Sequence, residues 1–141
     1  MDYKKAYDLL PHSWILEVVW MMGVADNVCH LLRQSMSHWK TTLTAGEKNL
    51  GTVQIKRGIF QGDSLSPLQF VMVMSPLSIL LNDEAKGYSL GNSGKLVNHL
   101  LFMDNLKLYG KNQDEVDALL GLVQEYSNDI GMKFGMRCFR H

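Results

Sequence analysis

Arg57-Gly58-Ile59-Phe60-Gln61-Gly62-Asp63-Ser64-Leu65-Ser66-Pro67-Leu68 is the stretch on which the reading of this chain turns. Gly58, Gly62 and the Asp-Ser-rich steps after them make a turn-rich loop. Pro67 suits the first turn of a helix, where its missing N–H has no partner to lose. The apolar segment behind it, with Val71, Val73 and Leu77, reads as a helix ending near Leu81. No charged residue stands between Asp63 and Asp83, a span about long enough to cross a bilayer. Pro67, Pro76, Ser64, Ser66, Ser75, Ser78 and Gln69 interrupt it, and such groups erode the free energy of insertion. A buried helix of a water-soluble domain is therefore the preferred reading, and a membrane-anchoring segment over 64–82 is the lesser alternative.

Upstream of the loop, Pro11 opens a helix over 12–22, with Trp14, Val18 and Met22 at helical spacing and Gly23 as its stop. A second helix is expected over 25–39, with Val28, Leu31, Leu32 and Met36 on one face. The alternation at 41–45 and 52–56, with Gly46, Asn49 and Gly51 between, predicts a β-hairpin with a longer loop. Downstream, 86–94 reads as loop or a short edge strand. Strands over 98–103 and 106–109 follow, both expected to be buried and joined through an Asp104-Asn105 turn. Residues 112–130 form the clearest helix: Asp114, Glu115 and Asp117 complement its dipole, and Gly131 caps its end. A short strand over 132–135 closes an α+β pattern.

The chain has 141 residues with 14 Lys+Arg against 14 Asp+Glu. That length suits one domain, and the charge balance argues against a uniformly basic nucleic-acid binder while leaving room for a local groove. Cys29 and Cys138 give neither a disulfide framework nor a zinc pattern. With no apolar run after Met-Asp-Tyr-Lys-Lys, the expectation is an intracellular protein that is not secreted.

Two carboxylates stand where chemistry could use them. Asp2 opens the sequence, and Asp104 sits at the turn of an apolar hairpin that would hold it rigidly. Magnesium takes oxygen ligands and shares them with substrate phosphates. Read alone, a turn aspartate is far more often a simple turn former. Its neighbours change that. Asp2-Tyr3-Lys4-Lys5-Ala6-Tyr7-Asp8, then the 57–68 loop, then Phe102-Met103-Asp104-Asn105 stand in the order and spacing of polymerase motifs A, B and C. The chain resembles the reverse transcriptases of non-LTR retrotransposons over nearly its whole length. Ser35-Met36 with Trp39, Leu106-Lys107-Leu108-Tyr109, and Ile130-Gly131-Met132 with Phe134-Gly135 are similar to that group as well.

The resemblance implies a fold and a chemistry. The fold is the palm of a right-hand polymerase, an antiparallel sheet backed by helices with part of the fingers. Residues 1–141 would be one fragment carrying motifs A, B, C and the start of D, with a truncated motif A strand and neither thumb nor upstream fingers. The chemistry is RNA-directed DNA synthesis at two magnesium ions, manganese serving as a substitute. Asp2, Asp104 and the Tyr3 backbone carbonyl would hold metal, with Asn105 beside them as part of the catalytic set. Tyr7 matches the aromatic gate under the sugar, and Ala6 keeps room beside it. Gln61 and Gly62 match the loop that touches nucleotide and template, and Lys107 matches a basic position near the primer by place alone. Partners would be an RNA or DNA template with primer and deoxynucleotides, and the remainder of a retrotransposon polyprotein. Plainer readings stand beside these: Tyr7 packing against Trp14, Gln61 and Gly62 as ordinary capping-loop residues, Lys4 and Lys5 as a solvated pair.

Three departures from the family pattern bear on activity. The motif C turn carries Asn105 where the family usually has a second aspartate, and an amide keeps one acceptor but brings no negative charge. The shortened motif A strand would leave the motif C hairpin with an uncovered edge. Arg137 stands near where the family has a lysine proton donor, and its guanidinium holds its proton above pH 12. The expectation is a polymerase by descent whose catalysis is weak or lost, with a non-catalytic remnant that binds nucleic acid or a partner as the alternative.

Overall fold

The computed structural model describes residues 2–3, 5–91 and 94–135, the side chains of Asp2 and Phe134 apart. Its elements run β1 (Asp2–Tyr3), α1 (Ala6–Leu9), α2 (His12–Met21), α3 (Asp26–Ser37), β2 (Lys40–Ala45), β3 (Lys48–Gln54), α4 (Ser66–Asp83), β4 (Tyr88–Ser89), β5 (Leu96–Val97), β6 (His99–Phe102), β7 (Asn105–Leu108), α5 (Gln113–Asp129) and β8 (Phe134–Gly135). The mix of helices and small antiparallel strands is the α+β class read from the sequence.

Helix α4 is the spine. Phe70, Val73, Met74, Leu77 and Leu81 are fully buried along it, spaced so that one stripe faces the core. Ile15 and Val19 of α2, Leu119 and Val123 of α5, and Leu106 of β7 complete that core. Leu68, Val71, Ile79 and Leu80 lie on the opposite, exposed side of α4. Among the described residues, no helix is long and apolar enough to cross a membrane. Asn112 caps α5 as its side chain accepts the Glu115 backbone N–H at 2.9 Å, leaving one fewer orphan donor in the first turn. Arg57 serves the other end of α5, donating to the Gly131 carbonyl at 3.0 Å.

One antiparallel sheet has the order β6-β7-β1-β8. Tyr3 is buried, and its hydroxyl meets Ser127 Oγ of α5 at 2.9 Å. Burial raises the Tyr3 pKa, and the Ser127 hydrogen bond offsets part of that rise.

Several expectations need correction. The motif C turn is Met103-Asp104, since Phe102 pairs with Asn105; Asn105 is therefore the first residue of β7 rather than a turn residue. Its hairpin is not buried throughout. Leu101 and Leu106 pair on the core side, whereas Leu100, Phe102 and Asn105 are exposed. The uncovered hairpin edge is corrected at one position, where β1 pairs with β7 through Asp2 and Asn105. In α3 Met36 is buried and Cys29 and Leu32 are half-buried against the core, while Val28 and Leu31 face solvent. In α2 the core positions are Ile15, Val18 and Val19, and Met22 is exposed. The upstream hairpin turns at Gly46-Glu47, because Ala45 pairs with Lys48, and β3 absorbs Asn49 and Gly51 with a register shift after Leu43. Tyr88–Ser89 pairs with Leu96–Val97, and helix α1 has no counterpart among the expected elements.

Candidate active site

Residues from four parts of the sequence converge at one end of the central sheet. The register sets Asp2 directly opposite Asn105. The Tyr3 backbone N–H donates to the Asp104 carbonyl at 3.3 Å, so motifs A and C are joined through their backbones. Asp104 is half-buried and Asn105 exposed. The Asn105 amide donates to the Asp104 carboxylate at 3.5 Å.

Met103, the first turn residue, has φ 53°, in the left-handed region that a residue with a Cβ rarely adopts. The Tyr7 hydroxyl donates to its sulfur at 3.7 Å. The Tyr7 ring stacks on Phe70 of α4, centroids 5.3 Å apart and planes within 4°. Trp14 meets Tyr126, donating to its hydroxyl at 3.3 Å. Ala6 is buried.

The 57–68 loop is tied to motif A by backbone. The Ile59 N–H donates to the Tyr7 carbonyl and the Gly58 N–H to the Leu10 carbonyl, both at 2.8 Å. His12 Nε2 lies 2.8 Å from the Gly58 carbonyl. Gly58 has φ +91°, and a Cβ there would stand 3.0 Å from the Asp8 carbonyl oxygen. Only glycine fits so close an approach. Beyond it, Phe60 packs on Trp39 with centroids 4.5 Å apart. Gln61 and Gly62 are exposed, Gly62 at φ +90° in open space. Lys107 is exposed on β7. Lys4 and the stretch from Met136 through Arg137 to Cys138 lie outside the described residues.

The described side-chain oxygens at this turn are the Asp104 carboxylate and the Asn105 amide oxygen. That set suits a hard divalent cation. Among the described residues no three His, Cys, Asp or Glu side chains form a metal-holding group, so such an ion would lean on Asp2, backbone and substrate oxygens. Sequence reasoning passed over Phe70 and Ser127 and the left-handed backbone of Met103; such a turn and long-range stacking carry no local signature.

The family model for reverse transcriptase (RNA-dependent DNA polymerase) matches residues 1–137. The chain belongs to the reverse transcriptase family. It is 30% identical over 132 residues to a retrovirus-related Pol polyprotein from type-1 retrotransposable element R2 of Popillia japonica, covering 94% of this chain and 22% of that protein. It is 27% identical over 140 residues to the Pol polyprotein of type-2 retrotransposable element R2DM of Drosophila melanogaster, covering 99% of this chain and 13% of that protein. An R2 Pol polyprotein of Nasonia vitripennis is 26% identical over 133 residues, covering 94% and 13%. The chain thus spans between 13% and 22% of the length of these relatives.

Proposed function

We propose that this chain carries the nucleotidyl-transfer site of an RNA-directed DNA polymerase, within a palm-like sheet-and-helix unit of a retrotransposon Pol polyprotein. The supporting observation is the register that sets Asp2 opposite Asn105, one residue from the Asp104 turn. Asp2, Asp104 and the Tyr3 carbonyl would hold the divalent cations. Two bound cations would favour the ionised primer 3′-hydroxyl and neutralise the departing pyrophosphate. The protein's own part is placement. Tyr7, fixed by Phe70, would close the floor under the sugar so that a 2′-hydroxyl clashes, with Ala6 leaving space for its ring. Gln61 and Gly62, free of packing, would reach nucleotide and template, and Lys107 would face the primer backbone.

Asn105 favours a second reading, a site reduced to binding. The two are separated by primer extension on an RNA template with the purified chain, in magnesium and in manganese. Polymerase function predicts slow extension that Asp104→Asn abolishes. Primer–template binding without extension, unchanged by Asp104→Asn, would establish the binding remnant instead.

A further inference from the structure

The Tyr7 side chain touches both motif C and α4. Its ring is held by Phe70, its carbonyl by the Ile59 N–H, and its hydroxyl reaches Met103 Sδ at 3.7 Å. Met103 is at once the acceptor and the residue in the left-handed region, and such a backbone persists only where its surroundings hold it. We infer that the Tyr7 hydroxyl is a positioning group: by holding the Met103 thioether it fixes the turn that presents Asp104. This rests on the reading of Asp104 as a metal ligand. Phenylalanine at position 7 would keep the ring, the stacking on Phe70 and the bulk, and would lose only the donor. A gate that works by bulk alone is indifferent to that change; a positioning hydroxyl is not.

The test is manganese affinity of the full chain, read by electron paramagnetic resonance, for wild type, Tyr7→Phe, Met103→Leu, the double variant and Asp104→Asn. Methyl-labelled methionine spectra accompany it, with Met103 assigned by its loss in Met103→Leu. A hydrogen bond to a thioether, a weak acceptor, stands at the low end for hydrogen bonds and corresponds to a weakening of about 2- to 3-fold. Tyr7→Phe and Met103→Leu should each show that loss, and the double variant should lose no more than either alone, since both remove one contact. The Met103 methyl signal should move in Tyr7→Phe and broaden when manganese binds the wild type. Unchanged affinity in Tyr7→Phe, or losses that multiply in the double variant, would overturn the positioning role. If Asp104→Asn binds manganese as wild type does, the metal reading falls and this inference with it. If Asp104→Asn loses binding while Tyr7→Phe keeps it, the positioning role alone falls.

Discussion

Replacing Asn105 by aspartate separates the charge of the site from its shape. In the wild type the Asn105 amide donates to the Asp104 carboxylate at 3.5 Å. Asn105→Asp turns that weak attraction into repulsion between like charges. At that separation in bulk water the repulsion is roughly 1 kcal/mol, and the exposed position screens it further. The variant should therefore melt about 2–4 °C lower than wild type in chelator, as expected for a loss of about 0.5–1 kcal/mol in a domain of this size. A divalent cation reverses the sign. A further unit of negative charge about 4 Å from a positive one gains roughly 4 kcal/mol at an effective dielectric near 20, and solvent takes part of it, leaving on the order of 2–4 kcal/mol. Ligand at a hundred times its dissociation constant stabilises the folded state by about 2.7 kcal/mol, so the variant should overtake wild type as magnesium rises. The same 2–4 kcal/mol in the transition state is about 30- to 1,000-fold in primer extension. Thermal melts across a magnesium series, paired with extension assays, read both effects. A variant as stable as wild type in chelator, and no more responsive to magnesium, would show that position 105 does not face the metal site.

Three further outcomes follow from contacts elsewhere. Arg57→Ala should cost about 1–2 kcal/mol, because the guanidinium bonds to the Gly131 and Leu9 carbonyls are lost; a lower urea midpoint with an unchanged slope reads it, and Arg57→Lys should recover only part. Ser127→Ala should cost about 0.5–1.5 kcal/mol by removing its hydrogen bond with the buried Tyr3 hydroxyl, and adding Tyr3→Phe to it should cost less than the sum in thermal melts. Burial lowers the His99 pKa from its ordinary 6.5, with Ser78 Oγ at 2.6 Å from Nε2 and Asn98 Oδ1 at 2.8 Å from Nδ1. The unfolded chain then binds the proton more readily, so this stability is full above about pH 6.5 and is lost as pH falls below it through the folded value; in His99→Gln that part of the pH profile should flatten in chemical denaturation.

The 57–68 loop and the helix behind it were legible because glycine, proline and a long apolar run each act locally. The same holds for α5, whose Asn112 cap and Gly131 stop lie at its ends. Faces were less legible. Periodicity in α3 marks Val28 and Leu31 as readily as Leu32 and Met36, and only the neighbouring α2 decides which of them is covered. Strand β7 alternates, with Asn105 and Lys107 outward and Leu106 inward, but β6 carries apolar residues on both faces, so its own sequence could not announce that Leu100 and Phe102 face outward. Register decided the Met103-Asp104 turn, and register depends on pairing between strands rather than on the turn residues alone. The two-residue β1 is too short for any period, and its place in the sheet comes from partners more than 100 positions away, at Asn105, Phe134 and Ser127.

These contacts bear on whether the substitution at 105 marks decay of the whole site or of its charge alone. The loop and motif A are joined by backbone bonds, Gly58 to Leu10 and Ile59 to Tyr7, which tolerate change in most side chains around them. The close approach of Gly58 to Asp8 holds only while position 58 stays glycine. Motif A is tied to α5 by the buried Tyr3–Ser127 pair. None of these groups is Asn105, and none needs a charge at that position. A scaffold losing its constraints would first strand polar atoms in its core, where each lost partner costs about 1–3 kcal/mol. Among the described residues, Ser66 Oγ is the buried side-chain polar atom without a partner. On the proposed reading, the substitution at 105 removes a charge and leaves these contacts in place, so Asn105→Asp should raise primer extension without altering them.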